Sequence, residues 1–126
     1  MIGCDNMKRG IKTEREAVNY LESIGICAFR ICGSGGGSKR PLTDVMASNN
    51  IIDYGIEVKS SKKDYILFED SQIKRLIKFC DKFGAMPLVC VKFSNEPFVF
   101  LKLHHLELTK EGNYKAVRGN LKRSVF

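Results

Sequence analysis

Apolar side chains recur at helical spacing in two stretches of the chain and in short alternating or continuous runs elsewhere. Ala17, Val18, Leu21 and Ile24 share one face of a helix predicted over residues 13–23. Thr13 is its expected cap, Glu16 completes a capping box and Gly25 stops it. A second helix, capped by Asp70 or Ser71 and running to about Phe83, presents Ile73, Leu76, Ile77 and Cys80 and stops at Gly84. Strand-like runs fall at residues 26–31, 44–47, 51–59, 65–68, 86–93 and 98–103. The second and third of these predict a hairpin across Ser48-Asn49-Asn50, and the last two a pair joined at Ser94-Asn95-Glu96-Pro97. Residues 1–10 read as a loose basic leader, and residues 109–126 as a weakly patterned basic tail, partly disordered. Between residues 33 and 41 four glycines exclude a regular element and predict a mobile loop. The order helix, strands, helix, two strands predicts an α/β fold: one mixed sheet flanked by helices, without a βαβ repeat.

Size sets the next bound. With 126 residues the chain suits a single domain spanning residues 1–126. It carries no apolar run of membrane-spanning length and no signal-peptide core, so no membrane is expected as partner and the cytoplasm is the expected compartment. The five cysteines form no CxxC pair, and Cys27, Cys80 and Cys90 fall at apolar positions, which predicts buried free thiols. His104 and His105 are adjacent, a poor spacing for zinc. The 21 Lys and Arg against 14 Asp and Glu leave a net charge of +7, which favours a polyanionic partner.

The candidate chemistry lies where charges interrupt the strand pattern. Asp44 opens one strand, and Glu57-Val58-Lys59 closes the next. Residues two apart in a strand point to one face, so Glu57 and Lys59 go together while Val58 faces away. With Asp44 on the neighbouring strand, two carboxylates and an ammonium converge. Such a patch suits a divalent cation held against a phosphate, with Asp44, Glu57 and the Val58 carbonyl as oxygen ligands and Lys59 stabilising developing charge. The plain alternative is an exposed Glu57–Lys59 pair. Glu14 is a candidate third carboxylate, but on the pattern alone it reads first as a solvated helix-face glutamate. The glycine-rich loop lacks GxxxxGK[ST] and reads either as a surface loop or as a basic clamp through Ser34, Lys39 and Arg40. Lys8 and Arg9 in the leader are further candidate DNA contacts. Phe79 and Phe83, four apart on the second helix, suit either a core or a dimer face.

Together these residues resemble the archaeal-type Holliday junction resolvases of the restriction-endonuclease-like nuclease superfamily. The resemblance covers roughly residues 8–93. It is carried by Arg9-Gly10, Thr13-Glu14-Arg15-Glu16, Phe29-Arg30 before a glycine-serine loop, Asp44, Glu57-Val58-Lys59-Ser60, Leu76-Ile77-Lys78-Phe79, Phe83-Gly84 and Val91-Lys92-Phe93. Thr43 stands where the superfamily often has Pro. The resemblance implies a Mg²⁺-dependent endodeoxyribonuclease, with Mn²⁺ as substitute, that cuts four-way DNA junctions at paired symmetric positions in recombination and repair. It implies catalytic roles for Glu14, Asp44, Glu57 and Lys59, with Glu14 a further candidate metal ligand. It also implies junction contacts through Arg15, Arg30 and Ser34, and a homodimer with Phe79 and Phe83 at its interface. The competing readings are a different repair endonuclease on this fold and a DNA-binding module without catalysis. Protein partners are not legible.

Overall fold

The computed structural model describes residues 2–32 and 42–126, with side chains from Arg9 onward. Ser34, Lys39, Arg40 and the glycine-rich loop that carries them lie outside the described residues, as does the Lys8 side chain.

A five-stranded mixed sheet forms the centre. Its order is β1 (Cys27–Arg30), β2 (Val45–Ser48), β3 (Asp53–Ser61), β5 (Met86–Phe93) and β6 (Val99–Lys102). β1, β2 and β3 run antiparallel through the expected hairpin, and β6 returns antiparallel to β5. Only β3 and β5 are parallel, paired from Tyr54↔Met86 to Ser61↔Phe93. A parallel pair needs a crossover, supplied here by β4 (Tyr65–Phe68) and helix α2 (Asp70–Phe83). This is the mixed α/β sheet flanked by helices that the pattern predicts.

Helix α1 covers one face. It runs from Ile2 to Ser23, so the leader expected to be loose is helical and Thr13 lies inside the helix instead of capping it. The Thr13 hydroxyl donates back to the Arg9 carbonyl (2.9 Å) and meets the Ser60 hydroxyl at 3.2 Å. A hydroxyl able to cap a helix can equally bond the preceding turn, and a capping-box pattern does not separate the two. Thr13, Ala17 and Leu21 form the buried stripe, packed with Ile56, Leu88 and Phe100.

Helix α2 and a second sheet cover the other face. The cap of α2 is Glu69, one residue earlier than expected, in a capping box with Gln72; Gly84 ends the helix at φ +85°. Ile73, Leu76 and Cys80 bury against Val89, Val91 and Leu101. Gly55 permits the close approach: a Cβ there would lie 2.6 Å from Cys80 Sγ.

The tail is ordered, contrary to expectation. β8 (Tyr114–Val117) pairs with β4 and with β7 (Glu107–Leu108) in a sheet of order β4-β8-β7, and Ala116 is buried. The final residues then cross to the α1 side. Val125 N–H donates to the Phe100 carbonyl (2.8 Å), and the Phe126 ring meets Tyr54 and Phe100 edge-on at 5.0 and 5.2 Å. Short alternating strands and single aromatic anchors leave too weak a period to stand out in a basic segment. Cys80 and Cys90 are the buried free thiols expected, but Cys27 is exposed on β1.

Candidate active site

The site forms where β3 outruns β2. Val45 pairs with Ile56, and beyond that point the β2 side of β3 has no strand partner among the described residues. Two side chains take over the ladder. Thr43, fully buried, donates its hydroxyl to the Ile56 carbonyl (2.8 Å), which is the work Thr does at the position often held by Pro. Asp44 Oδ2 accepts the Val58 N–H at 3.0 Å. Since N–H and C=O of one strand residue point to the same side, the Val58 carbonyl opens toward Asp44 as well.

Glu57 and Lys59 leave β3 on the α2 side, and Val58 faces the α1 core, as the alternation requires. Among the described residues no hydrogen bond or ion pair within 4 Å holds the Glu57 carboxylate. Burial, reinforced by repulsion from Asp44, pushes its pKa up to about 8; Arg75 and Lys59 oppose this, and Glu14 adds a little to it. Glu14 enters from α1. Its carboxyl is also raised, by burial and then by Asp44, and it accepts from Arg30 Nε at 3.0 Å. Three carboxylates from three elements thus share one field, with Asp44 at the edge between the two faces. That is a site short of positive charge.

Lys59 does not pair with Glu57. Its ammonium donates to the Leu67 carbonyl (2.8 Å) and to Gln72 Oε1 (2.9 Å), and lies 5.3 Å from the centre of the Phe68 ring. Burial lowers its pKa, against the pull of Glu57, Glu69 and Asp44. The exposed Glu57–Lys59 pair considered from sequence is therefore not formed.

Around this centre the surface is basic. Arg9, Gly10, Thr13, Val58, Lys59 and Ser60 line a groove of about 310 Å³. It adjoins a hollow of about 200 Å³ whose lining includes Arg9, Ser60, Lys62 and Lys92. Arg15 is exposed on α1, one residue past Glu14, and Arg30 is tied to Glu14. Gln72, Arg75, Lys62 and Lys92 were missed in the sequence. The Lys-Ser-Ser-Lys-Lys run after Val58 was a visible signal for Lys62. Gln72 and Arg75 had none, because a helix start reads as capping and surface. On the same helix Phe79 and Phe83 stack at 5.7 Å, with Phe83 56% exposed.

The three comparisons agree. The family model for the archaeal Holliday junction resolvase (Hjc) matches residues 5–124. A crossover junction endodeoxyribonuclease of Sulfolobus islandicus rod-shaped virus 1 is 38% identical over 91 residues, covering 70% of this chain and 74% of that protein. The crossover junction endodeoxyribonuclease Hjc of Archaeoglobus fulgidus is 32% identical over 107 residues, or 85% and 77% of the two chains. The solved structure of the A. fulgidus Hjc, a Holliday junction resolvase, superposes with a TM-score of 0.81 at 29% identity, covering 87% of this chain and 88% of that one. With its ladder-breaking aspartate, its half-buried glutamate and a match along nearly its whole length, the chain belongs to the archaeal Holliday junction resolvase family.

Proposed function

We propose that this chain is a structure-selective endodeoxyribonuclease that resolves four-way DNA junctions, cutting two strands symmetrically as a homodimer. The observation that carries the reading is Asp44, fixed on the Val58 N–H beside a desolvated Glu57 whose carboxyl has no hydrogen-bond or ion-pair partner among the described residues. Family membership sets the substrate class.

The donor set fits a divalent cation. Asp44, Glu57 and the Val58 carbonyl offer hard oxygens, and a cation there would offset the burial and the Asp44 repulsion that raise the Glu57 pKa. Among the described residues no three His, Cys, Asp or Glu side chains form a chelating group. Mg²⁺, which keeps several waters and takes one or two carboxylates plus phosphate oxygens, suits this better than an ion needing an all-protein cage; Mn²⁺ is the natural substitute. When bound, the ion activates a water and neutralises charge on the phosphate. Lys59 stabilises the charge that develops on the phosphoryl oxygens. Arg30 holds Glu14 in place beside Asp44. Arg9, Arg15, Lys62 and Lys92, together with Lys8, Ser34, Lys39 and Arg40, grip the phosphate backbone, which makes binding strongly salt-dependent. A two-fold dimer presents two such sites with the symmetry of the junction, and the stacked Phe79–Phe83 pair is its proposed contact. No helix among the described residues is long and apolar enough to cross a membrane. Membership of a DNA-acting nuclease family supports the cytoplasm, with the DNA, as the compartment.

The test is incubation with a four-way junction or a linear duplex of matching sequence, in Mg²⁺ and in chelator. Paired symmetric nicks confined to the junction and to Mg²⁺ are expected. Equal cutting of the duplex would assign a different repair endonuclease, and tight junction binding without cutting in either Mg²⁺ or Mn²⁺ a DNA-binding module.

A further inference from the structure

The Gln72 side-chain oxygen has two partners. It accepts the Lys59 ammonium at 2.9 Å and the Glu69 N–H, which closes the capping box of α2, also at 2.9 Å. An amide oxygen has two lone pairs, so both are engaged. Lys59 in turn donates two of its three N–H bonds, to Gln72 and to the Leu67 carbonyl, and the third has no acceptor among the described residues. The Phe68 ring lies 5.3 Å away.

We propose that Gln72 is a positioning residue of the nuclease site, which fixes the Lys59 ammonium so that its remaining N–H is presented to a substrate oxygen. The inference rests on the reading of Lys59 as a functional group. A lysine carries its charge on four flexible methylenes, and holding it in one rotamer before substrate arrives removes that ordering from the reaction itself. A neutral amide suits the task. Three carboxyl groups, those of Glu14, Asp44 and Glu57, already share the site, and a carboxylate at position 72 would compete with the phosphate for the ammonium. The same oxygen also makes the lysine's position conditional on the first turn of α2 being formed. On that helix Gln72, Arg75, Phe79 and Phe83 follow one another at spacings of three and four, along one side.

Two measurements on the full chain test this. The first is competitive acetylation of all lysines in the absence of DNA, read by mass spectrometry. Gln72→Leu should make Lys59 several-fold more reactive relative to Lys63, and Gln72→Glu, which keeps the oxygen, should leave it protected. The second is single-turnover cleavage of a four-way junction. Gln72→Leu should cut about 10- to 100-fold more slowly, with junction affinity unchanged. Unchanged Lys59 reactivity in Gln72→Leu, or loss of protection in Gln72→Glu, would overturn the contact. Cleavage at the wild-type rate, or a loss that follows junction affinity and melting temperature, would overturn the positioning role. A wild-type chain that cuts nothing would defeat the functional reading, while the acetylation result still decides whether Gln72 holds Lys59.

Discussion

The two halves of β3 use the same backbone differently. From Tyr54 to Ile56 the strand is paired on both edges, to β2 and to β5. From Glu57 to Ser61 the β5 pairing continues, but the other edge has no strand beside it among the described residues: Thr43 closes the ladder at the Ile56 carbonyl, and Asp44 takes the Val58 N–H. The first half buries Tyr54 and Ile56 and admits α2 over Gly55. The second half turns a partly buried glutamate and lysine toward the same helix. The comparison shows that the candidate site is a place where a sheet ladder ends before its strand does. A carboxylate can occupy a ladder position only there, and so stand fixed beside another carboxylate.

Changes in the second half should cost activity without costing the fold. Asp44→Asn and Glu57→Gln should each slow junction cleavage by about 100- to 1000-fold, with junction affinity retained, as seen by single-turnover kinetics and gel-shift titration. If either cuts normally, the site lies elsewhere. Changes in the first half should do the reverse. Ile56→Ala should lose about 2–5 kcal/mol of stability by denaturant titration, while the molecules that stay folded cut at the wild-type rate. Gly55→Ala is a milder probe, since its methyl must displace the buried Cys80 thiol, at about 1–3 kcal/mol.

A last test of the comparison is pH. The Glu57 carboxyl keeps its proton in the folded chain up to about pH 8, whereas the unfolded chain releases it near the usual value of 4.5. Between those two values the unfolded state binds fewer protons, so the stability of the metal-free protein should fall as pH rises, and level off above about 8. Melting temperatures from pH 5 to 8 should show that slope, and Glu57→Gln should flatten it. Added Mg²⁺ should stabilise more at pH 8 than at pH 6, because the ion takes the ionised carboxylate. A Glu57→Gln profile as steep as the wild type would remove Glu57 from the account.

The sequence carried the main sheet because its strands announce themselves twice, by alternation and by turn chemistry. Asn49 and Asn50 at one turn mark the pairing that brings Asp44 beside Glu57, and Ser94 to Pro97 at another mark the pairing of β5 with β6. Boundaries that depend on the partner of one polar side chain were harder. Thr13 and Ser71 both carry the composition of a cap, yet Thr13 bonds back to Arg9 and the α2 cap is Glu69. The tail was illegible for a different reason: β8 has four residues and contributes mainly backbone, so little hydrophobic pattern records it. Within the site, Asp44, Glu57 and Lys59 could be found because charge in an apolar strand is anomalous. Gln72 and Arg75 were not, because polar residues in a first helical turn are ordinary.

Lys59 leans on the carbonyl of Leu67, and a carbonyl is the same atom in every residue. Selection acting through that contact is therefore nearly blind to which amino acid occupies position 67. It is sharply sensitive to how many residues separate 59 from 67. Across the turn at Lys63 and Asp64, substitutions should accumulate freely over evolutionary time. A single insertion or deletion would carry a different carbonyl to the lysine and offset the pairing of β4 with β8. Length, not identity, is what this stretch of the chain has to inherit.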